Sequence, residues 1–564
     1  MRRVVKHTLA LLATVAVLGL FCFAKRDDFG LGRNMEILIN MMREIATFYV
    51  DEVDTDALAK GAAEGMMRSL DPYTEYLPEE ELSDFEMMTT GKYGGVGSVI
   101  RKRGEYVVFS QPYKDSPADR AGIRIGDKIV AIDGESAKGF DIEQVSKRLK
   151  GDPGSKVEVT ILPLIDSVER TVTLRRERIA IPSIPYSGLY RDGIAYIRHD
   201  DFTEDSYREM RAEIERMQAE QPLRGIIFDY RNNGGGLMQE AVKVLSLMLP
   251  KGTEVLSTKG RSASSKMTHR TAFEPIVADT IPIAVLINAN TASSSEIVAG
   301  ALQDLDRAVV LGQRSFGKGL VQSTRPVGYN SLIKLTTAKY YTPSGRCVQA
   351  IDYSEHNADG KVRHVADSLT NEFKTAAGRT VRDGGGITPD VVTKPEYMCR
   401  FALTLYALGH IDDFGDEYFK EHHADTIDNR TFSITDEDYE RFKEFMQGRD
   451  VPYESDTRRA LNTLRKAAED DLFDEDLSPA IEAVTAVLRD DTATNLETYR
   501  EDIIRMINND IILRHSYARG VAEHNLMFDN EVEQAAALLL DTVQYNRLLS
   551  AKSPEAEGEE PQNE

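Results

Sequence analysis

Apolar positions along the chain change their period several times, and each change marks a boundary. Leu38, Met41, Ile45 and Phe48 recur at helical spacing, as do Leu58, Ala62, Met66 and Leu70, so two packing helices are predicted. The turn-rich segment 70–77 ends them, because Pro72 disfavours helix at the residue before it. Short β-rich runs follow at 106–109, 128–132, 156–162 and 171–174, with one helical pattern over 141–150. From 181 to 397, apolar strands at 193–197, 225–229, 283–287, 308–311 and 332–337 alternate with helical stretches at 204–217, 237–248 and 293–305. The whole predicts a multidomain α/β chain with its chemistry at strand-to-helix corners. Beyond 397 the pattern is acidic and helical, with Tyr439, Phe442 and Met446 on one face and Ile503, Ile504, Ile507 and Ile511 on another. No reactive constellation emerges there, so packing or assembly is the expected role. The last residues, rich in Glu, Pro and Gln, read as a disordered tail.

Length and charge narrow the class. A chain of 564 residues that is 41% apolar has material for several domains. With 69 basic against 92 acidic side chains, a net charge of −23 argues against nucleic acid or anionic membrane surfaces as general partners. Protein partners are expected. Arg2, Arg3 and Lys6 precede an uncharged apolar stretch, 8–24, that ends at Lys25 and Arg26, which reads as an export signal. The stretch is long for a cleaved signal core and slightly short for a comfortable span. Removal after Ala24 and retention as an inner-membrane anchor both stay open. The expected location is the periplasm, free or anchored to the inner membrane. Cys347 and Cys399 give no ground for a disulfide, and no HExxH or paired CxxC occurs, so neither metal nor cofactor is expected.

Two segments carry candidate chemistry. Asn288 to Ile297 joins an apolar strand to an apolar helix and sets Ser293, Ser294 and Ser295 near a helix N-terminus, where backbone N–H groups favour a developing oxyanion. Serines are also ordinary helix caps, so this segment needs a second signal. Phe316-Gly317-Lys318-Gly319 supplies it, a lysine held between glycines just after the strand 308–311. A neutral lysine amine can serve as a base for a serine hydroxyl. Lys318 would have to fall from about 10.4 towards roughly 7–8, which requires an apolar, water-poor pocket. A third segment, Asp229 to Gly236, follows a strand and offers backbone donors from Gly234, Gly235 and Gly236.

Earlier in the chain, Tyr93-Gly94-Gly95-Val96-Gly97 could expose backbone N–H groups beside a strand edge, the arrangement that captures a peptide's terminal carboxylate. Together with Ser116-Pro117-Ala118, Ala121-Gly122-Ile123, Gly126-Asp127 and Ile132-Asp133-Gly134, this run resembles a PDZ domain. Tyr93 to Gly97, with Val145 and Leu149 of the helical pattern, are its candidate peptide-binding residues.

The segments 291–297 and 315–322 resemble the nucleophile and base segments of the carboxyl-terminal processing (tail-specific) proteases, Ser/Lys serine peptidases with a PDZ domain. The family's spacing of nucleophile and lysine selects Ser293 with Lys318, and its lysine-orienting glutamine falls on Gln322. The resemblance assigns Gly234 or Gly235, and the N–H of Ser294, to the oxyanion hole. It makes Arg231 and Glu296 a pair that braces the loops. The likeness runs from about residue 35 to 395. It implies a crotonase-like (ClpP-like) α/β protease core with an inserted PDZ domain and helical N- and C-terminal regions. The corresponding boundaries are 1–24 signal peptide or anchor, 28–90 N-terminal helical region, 91–176 PDZ domain, 177–396 protease core, 397–550 helical extension and 551–564 acidic tail. Substrates would be exported proteins bound by their C-termini and cut near that end. The reading leaves room for an activator or adaptor protein and for a homo-oligomer.

Competing readings are weaker. Gly312 to Lys318 fits the start of a phosphate-binding P-loop, but Gly319 stands where Ser or Thr must hold magnesium. No GxSxG elbow is present, and His199 is expected to pack at its strand end rather than act in catalysis. A catalytically inactive PDZ scaffold for the C-termini of envelope proteins is the alternative from another class. The retained Ser293, Lys318 and Gln322 count against it.

Overall fold

The structure is a computed structural model that describes residues 30–356, 362–364, 370–488 and 491–550. The export-type segment 1–24 and the acidic tail lie outside the described residues. Contacts divide the chain into two compact units, one formed by residues up to Leu82 with Gln322–Thr336, the other by Ser83–Val321 with Thr337–Glu564.

In the smaller unit, residues 30–48 form a helix that exposes Leu31, Met35, Ile39 and Phe48. A second helix, Thr55–Arg68, starts at Asp54, whose carboxylate accepts from the Asp56 and Ala57 N–H groups. Asp71 then organises the predicted turn by accepting from the Tyr73 and Thr74 N–H groups at 2.9 and 3.0 Å. Strand Glu75–Leu77 pairs antiparallel with the segment around Ile333.

The larger unit begins with a β-rich module. Its strands Ser98–Arg103, Tyr106–Pro112, Lys128–Ile132, Lys156–Leu162 and Arg170–Arg175 form one sheet in that order. In Lys156–Leu162 the first residues alternate exposed and buried, the period-two signature of a half-buried strand. Helix Ile142–Leu149 opens with a capping box between Asp141 and Gln144. Its Val145 and Leu149, expected to contact a peptide, are instead sunk in the module's core beside Val107, Phe109 and Ile161. Positions four apart on a short helix mark its inward face, and here that face packs the sheet.

The central layer of the larger unit is a six-stranded sheet in the order Tyr186–Leu189, Ile194–Arg198, Gly225–Asp229, Ile283–Ile287, Val309–Gly312, Val391–Val392, parallel except for the first pair. Every residue of Gly225–Asp229 and Ile283–Ile287 is buried, as continuous apolar runs require of strands covered on both faces. One face carries helices Ser206–Glu220, Met238–Leu245 and Ser294–Asp304. The other is covered by the end of the chain. Val532, Ala535 and Leu539 of helix Asn530–Leu540 pack on Ile227, Ala284 and Leu286. From the next helix, the Tyr545 hydroxyl accepts from the Ile283 N–H at 2.9 Å and donates to its carbonyl at 3.0 Å. The candidate strand at 332–337 falls in Ser331–Tyr341, which pairs through its end with Glu254–Lys259 in a separate sheet.

Between these layers a helical region encloses its own core of Phe401, Phe414, Phe442, Ile503 and Ile511. It grips the β-rich module through ions: Arg101 meets Asp412, while Arg103 meets Asp413 and Asp416. Arg514, almost fully buried, bonds Asp416 and Asp510 at 2.7 Å each. The Tyr517 hydroxyl donates to Asp119 at 2.6 Å. Among the described residues, no helix is long and apolar enough to cross a membrane.

His199 is packed between Phe202 and Tyr230, with ring centroids 4.3 and 5.4 Å away. Burial pushes its imidazole down to about 3, so the folded protein holds it neutral, while the unfolded chain takes up a proton near 6.5. Between those values the unfolded state binds more protons, so stability falls as the pH drops below about 6.5. His199→Leu should therefore narrow the loss of melting temperature between about pH 7.5 and pH 5. An unchanged loss would show that other groups carry the acid sensitivity.

Candidate active site

Strand Ile283–Ile287 ends in a tight turn where the Thr291 N–H bonds the Asn288 carbonyl at 2.9 Å and the Thr291 hydroxyl reaches the Tyr230 carbonyl at 2.8 Å. The chain then bends sharply at Ser293, which has φ 56° and ψ −115°, a conformation an L residue adopts only when its surroundings force it. Helix Ser294–Asp304 follows, buried along its whole length. Three contacts hold the bend. The Tyr340 hydroxyl donates to the Ser293 carbonyl at 3.2 Å, and the Ser294 and Ser295 hydroxyls donate to the carbonyls of Gly236 and Asn233 at 2.9 and 3.1 Å. Of the three serines, the second and third are thus occupied in structure.

Glu296 links this bend to the lysine loop. Its side chain is fully buried, and Oε2 accepts from the Ser293 N–H at 2.9 Å and the Lys318 N–H at 2.8 Å. Oε1 accepts from the Gly317 N–H at 2.7 Å and the Ser315 hydroxyl at 2.5 Å. Burial pushes this carboxyl above its ordinary range, against four hydrogen bonds that favour the ionised form. The glycines beside Lys318 are required by close approach: a Cβ on Gly317 would lie 2.4 Å from that of Ala350, and one on Gly319 would lie 2.8 Å from the Gln349 nitrogen. Lys318 itself is half-buried.

The glycine loop presses against the serine from the other side. A Cβ on Gly235, which has φ +107°, would lie 2.7 Å from the Ser293 Cβ and 2.9 Å from the Ser294 nitrogen. The Gly235 N–H is already used, donating to Asn233 Oδ1 at 2.8 Å. The exposed Gly234 N–H has no hydrogen-bond partner among the described residues. Of the two candidate donors, Gly234 is therefore the open one, and Gly235 sets the approach distance. Ser294 begins its helix, so its N–H needs no intrahelical carbonyl.

The expected pairing of Arg231 with Glu296 is not found. Arg231 is bound to Asp229, Asp529 and Glu531 at 2.6, 2.7 and 2.7 Å, whereas Glu296 is saturated by the four donors above. Arg231 thus ties the glycine loop to the C-terminal helix. Asn233, which the sequence did not single out, is the hub. Its Nδ2 donates to the His199 carbonyl at 2.7 Å, its Oδ1 holds Gly235, and its carbonyl accepts from the Ala292 N–H at 3.0 Å. The only local hint is an amide side chain directly before three glycines. Gln322 belongs to the smaller unit, where its Nε2 donates to the Thr336 hydroxyl at 3.2 Å.

Of the candidate peptide-binding residues, Tyr93, Gly94 and Gly95 lie in the short strand Lys92–Gly95, paired with Glu177–Ala180. A Cβ on Gly94 would stand 2.2 Å from the Gly151 carbonyl oxygen, and one on Gly95 would meet the Tyr93 ring at 2.7 Å. Val96 is buried, and the Gly97 carbonyl accepts from the Tyr113 N–H and the Ser116 hydroxyl, both at 2.9 Å.

Residues 193–356 match peptidase family S41, residues 108–163 a PDZ domain, and residues 401–539 the C-terminal helical domain of probable PDZ-proteases. A carboxy-terminal-processing protease of Bartonella bacilliformis is 36% identical over 315 residues, covering 55% of this chain and 72% of that protein. A probable CtpA-like serine protease of Staphylococcus aureus is 33% identical over 347 residues, 60% of this chain and 68% of the relative. Among solved structures, a photosystem II D1 C-terminal processing protease matches at 26% identity and a TM-score of 0.34, covering 64% of this chain and 93% of that one. At 36% identity over 72% of the Bartonella bacilliformis relative, and with both a family S41 peptidase segment and a PDZ domain of its own, the chain is a serine peptidase of family S41 that belongs to the PDZ-containing carboxy-terminal-processing proteases.

Proposed function

We propose that this protease acts with a Ser293–Lys318 pair on proteins captured by their C-termini in the PDZ domain. The observation that supports it is the single buried carboxylate of Glu296, which accepts from the backbone N–H of both Ser293 and Lys318 and so ties the two loops to one point. In this reading the Lys318 amine takes the proton of the Ser293 hydroxyl as Oγ attacks the scissile carbonyl. The oxyanion lies against the N–H groups of Gly234 and Ser294. The Lys318 ammonium then gives its proton to the departing amine, leaving an acyl-enzyme, and a water deprotonated by the same lysine releases the new carboxyl terminus. Gln322 would orient the lysine, and the core would be of the crotonase-like (ClpP-like) kind. Substrates would be exported proteins met on the periplasmic side of the inner membrane.

Capture is tested by cleavage of one unfolded protein with an apolar terminus, free or amidated. The amidated form should be cut with a KM at least about tenfold higher, the loss expected for one charge-assisted carboxylate contact. Equal KM values would remove carboxylate capture and leave the catalytic pair standing.

A further inference from the structure

A planar trans peptide unit carries its C=O and N–H on opposite sides, so a contact that fixes the carbonyl also aims the N–H. The oxyanion donors proposed above, the N–H groups of Gly234 and Ser294, belong to units whose carbonyls are those of Asn233 and Ser293. The first needs no side chain to aim it, because the Asn233 carbonyl accepts from the Ala292 backbone N–H of the neighbouring loop at 3.0 Å. The second is different.

The Ser293 carbonyl makes an ordinary helical bond with the Ile297 N–H at 2.9 Å, which runs along the axis of helix Ser294–Asp304 and leaves the unit free to tilt about that line. The torsion that sets the tilt, ψ of Ser293, stands at −115°, outside the wells that an L residue with φ 56° favours. Left to itself, the unit would turn. The Tyr340 hydroxyl meets it from outside the helix, donating to the same carbonyl at 3.2 Å. A donor on the carbonyl also polarises the amide and strengthens its N–H as a donor.

Tyr340 is itself held firmly. It is 1% exposed within the main core, and its backbone N–H donates to the Gly319 carbonyl at 3.0 Å, next to Lys318. Burial, with the Glu296 carboxylate nearby, pushes the phenol well above its ordinary value, so the hydroxyl keeps its proton and stays a donor. The mechanism above gives this hydroxyl no part.

We propose that Tyr340 is a positioning residue for the oxyanion hole: its hydroxyl, bound to the Ser293 carbonyl, holds that peptide unit so that the Ser294 N–H faces the developing oxyanion. The inference rests on the Ser293–Lys318 reading above and adds to it a side chain 47 residues from the nucleophile.

Tyr340→Phe tests it. The ring is kept and the Ile297 N–H still satisfies the Ser293 carbonyl, so the variant should fold. Removing an oxyanion donor outright costs roughly 10²–10³ in kcat, so a donor kept but misdirected should cost about tenfold in kcat on an unfolded protein substrate, with KM unchanged. A peptide aldehyde, whose adduct with the serine places an oxyanion in the same hole, should lose affinity by the same factor. Both quantities are read below the lower melting temperature, where a role confined to stability would move neither. Tyr341→Phe, one residue along the strand with its ring against Lys259, is the control and should keep the kcat of the unsubstituted enzyme. Unchanged kcat in Tyr340→Phe overturns the proposal, as does a lower kcat with the aldehyde bound as tightly as before. Ser293→Ala separates the two readings. If it cleaves as fast as the unsubstituted enzyme, the proposed function fails; if it is inactive while Tyr340→Phe is fully active, only this inference does.

Discussion

Ser293→Ala should lower kcat by about 10⁴-fold or more, because in the proposed mechanism it removes the group that forms the acyl bond and leaves only binding and the oxyanion donors. Lys318→Ala should cost a comparable factor, since the proposed mechanism makes the two act as a unit. Lys318→Arg should not restore activity, because a guanidinium stays protonated and cannot accept the serine proton. Ser294→Ala and Ser295→Ala serve as comparisons. Their hydroxyls donate to Gly236 and Asn233, so these variants should lose stability before chemistry. Because the proposed mechanism requires a neutral amine as base, activity of the unsubstituted enzyme should climb with pH, and a flat profile between about pH 6 and 9 would count against lysine as the base.

Glu296→Ala is expected to be the most damaging change outside the catalytic pair. It strips the acceptor from the N–H groups of Ser293, Gly317 and Lys318 and from the Ser315 hydroxyl, of which the Gly317 and Ser315 donors are buried. Stranding these donors should cost roughly 3–5 kcal/mol of stability. Thermal unfolding would show the loss, and kcat should fall further than stability alone explains because both loops lose their common anchor. Glu296→Gln keeps the shape but exchanges one acceptor oxygen for an amide donor, so it should recover only part of either quantity. A Glu296→Ala enzyme with unaltered melting and kcat would show that the loops are positioned by something else.

The sequence was most informative where chemistry is contiguous. The strands 225–229 and 283–287 could be read to the residue, because a strand buried on both faces is an unbroken apolar run between polar ends. The run at 332–337 was equally clear as a strand, yet nothing local says which sheet it joins. Val145 and Leu149 show the same limit on a helix: period identifies a shared face but does not tell core from groove. Ser293 and Lys318 stood out through their segments, whereas Asn233 and Tyr340, which hold the bend across long sequence separations, left almost no local trace. Arg231 was assigned the wrong acid because its true partners, Asp529 and Glu531, come from a helix some 300 residues away. That helix also supplies the second cover of the catalytic sheet. A chain end that reads as a separate extension is thus part of the core.

The most direct test of the account is the site of a covalent adduct. The unsubstituted enzyme, inactivated by a serine-directed fluorophosphonate, would be digested and its modified peptide sequenced by mass spectrometry. The account predicts one phosphonyl group on Ser293, lost in Ser293→Ala and slowed in Lys318→Ala. Modification of Ser294 or Ser295 instead, or full inactivation with Ser293 unmodified, would contradict it.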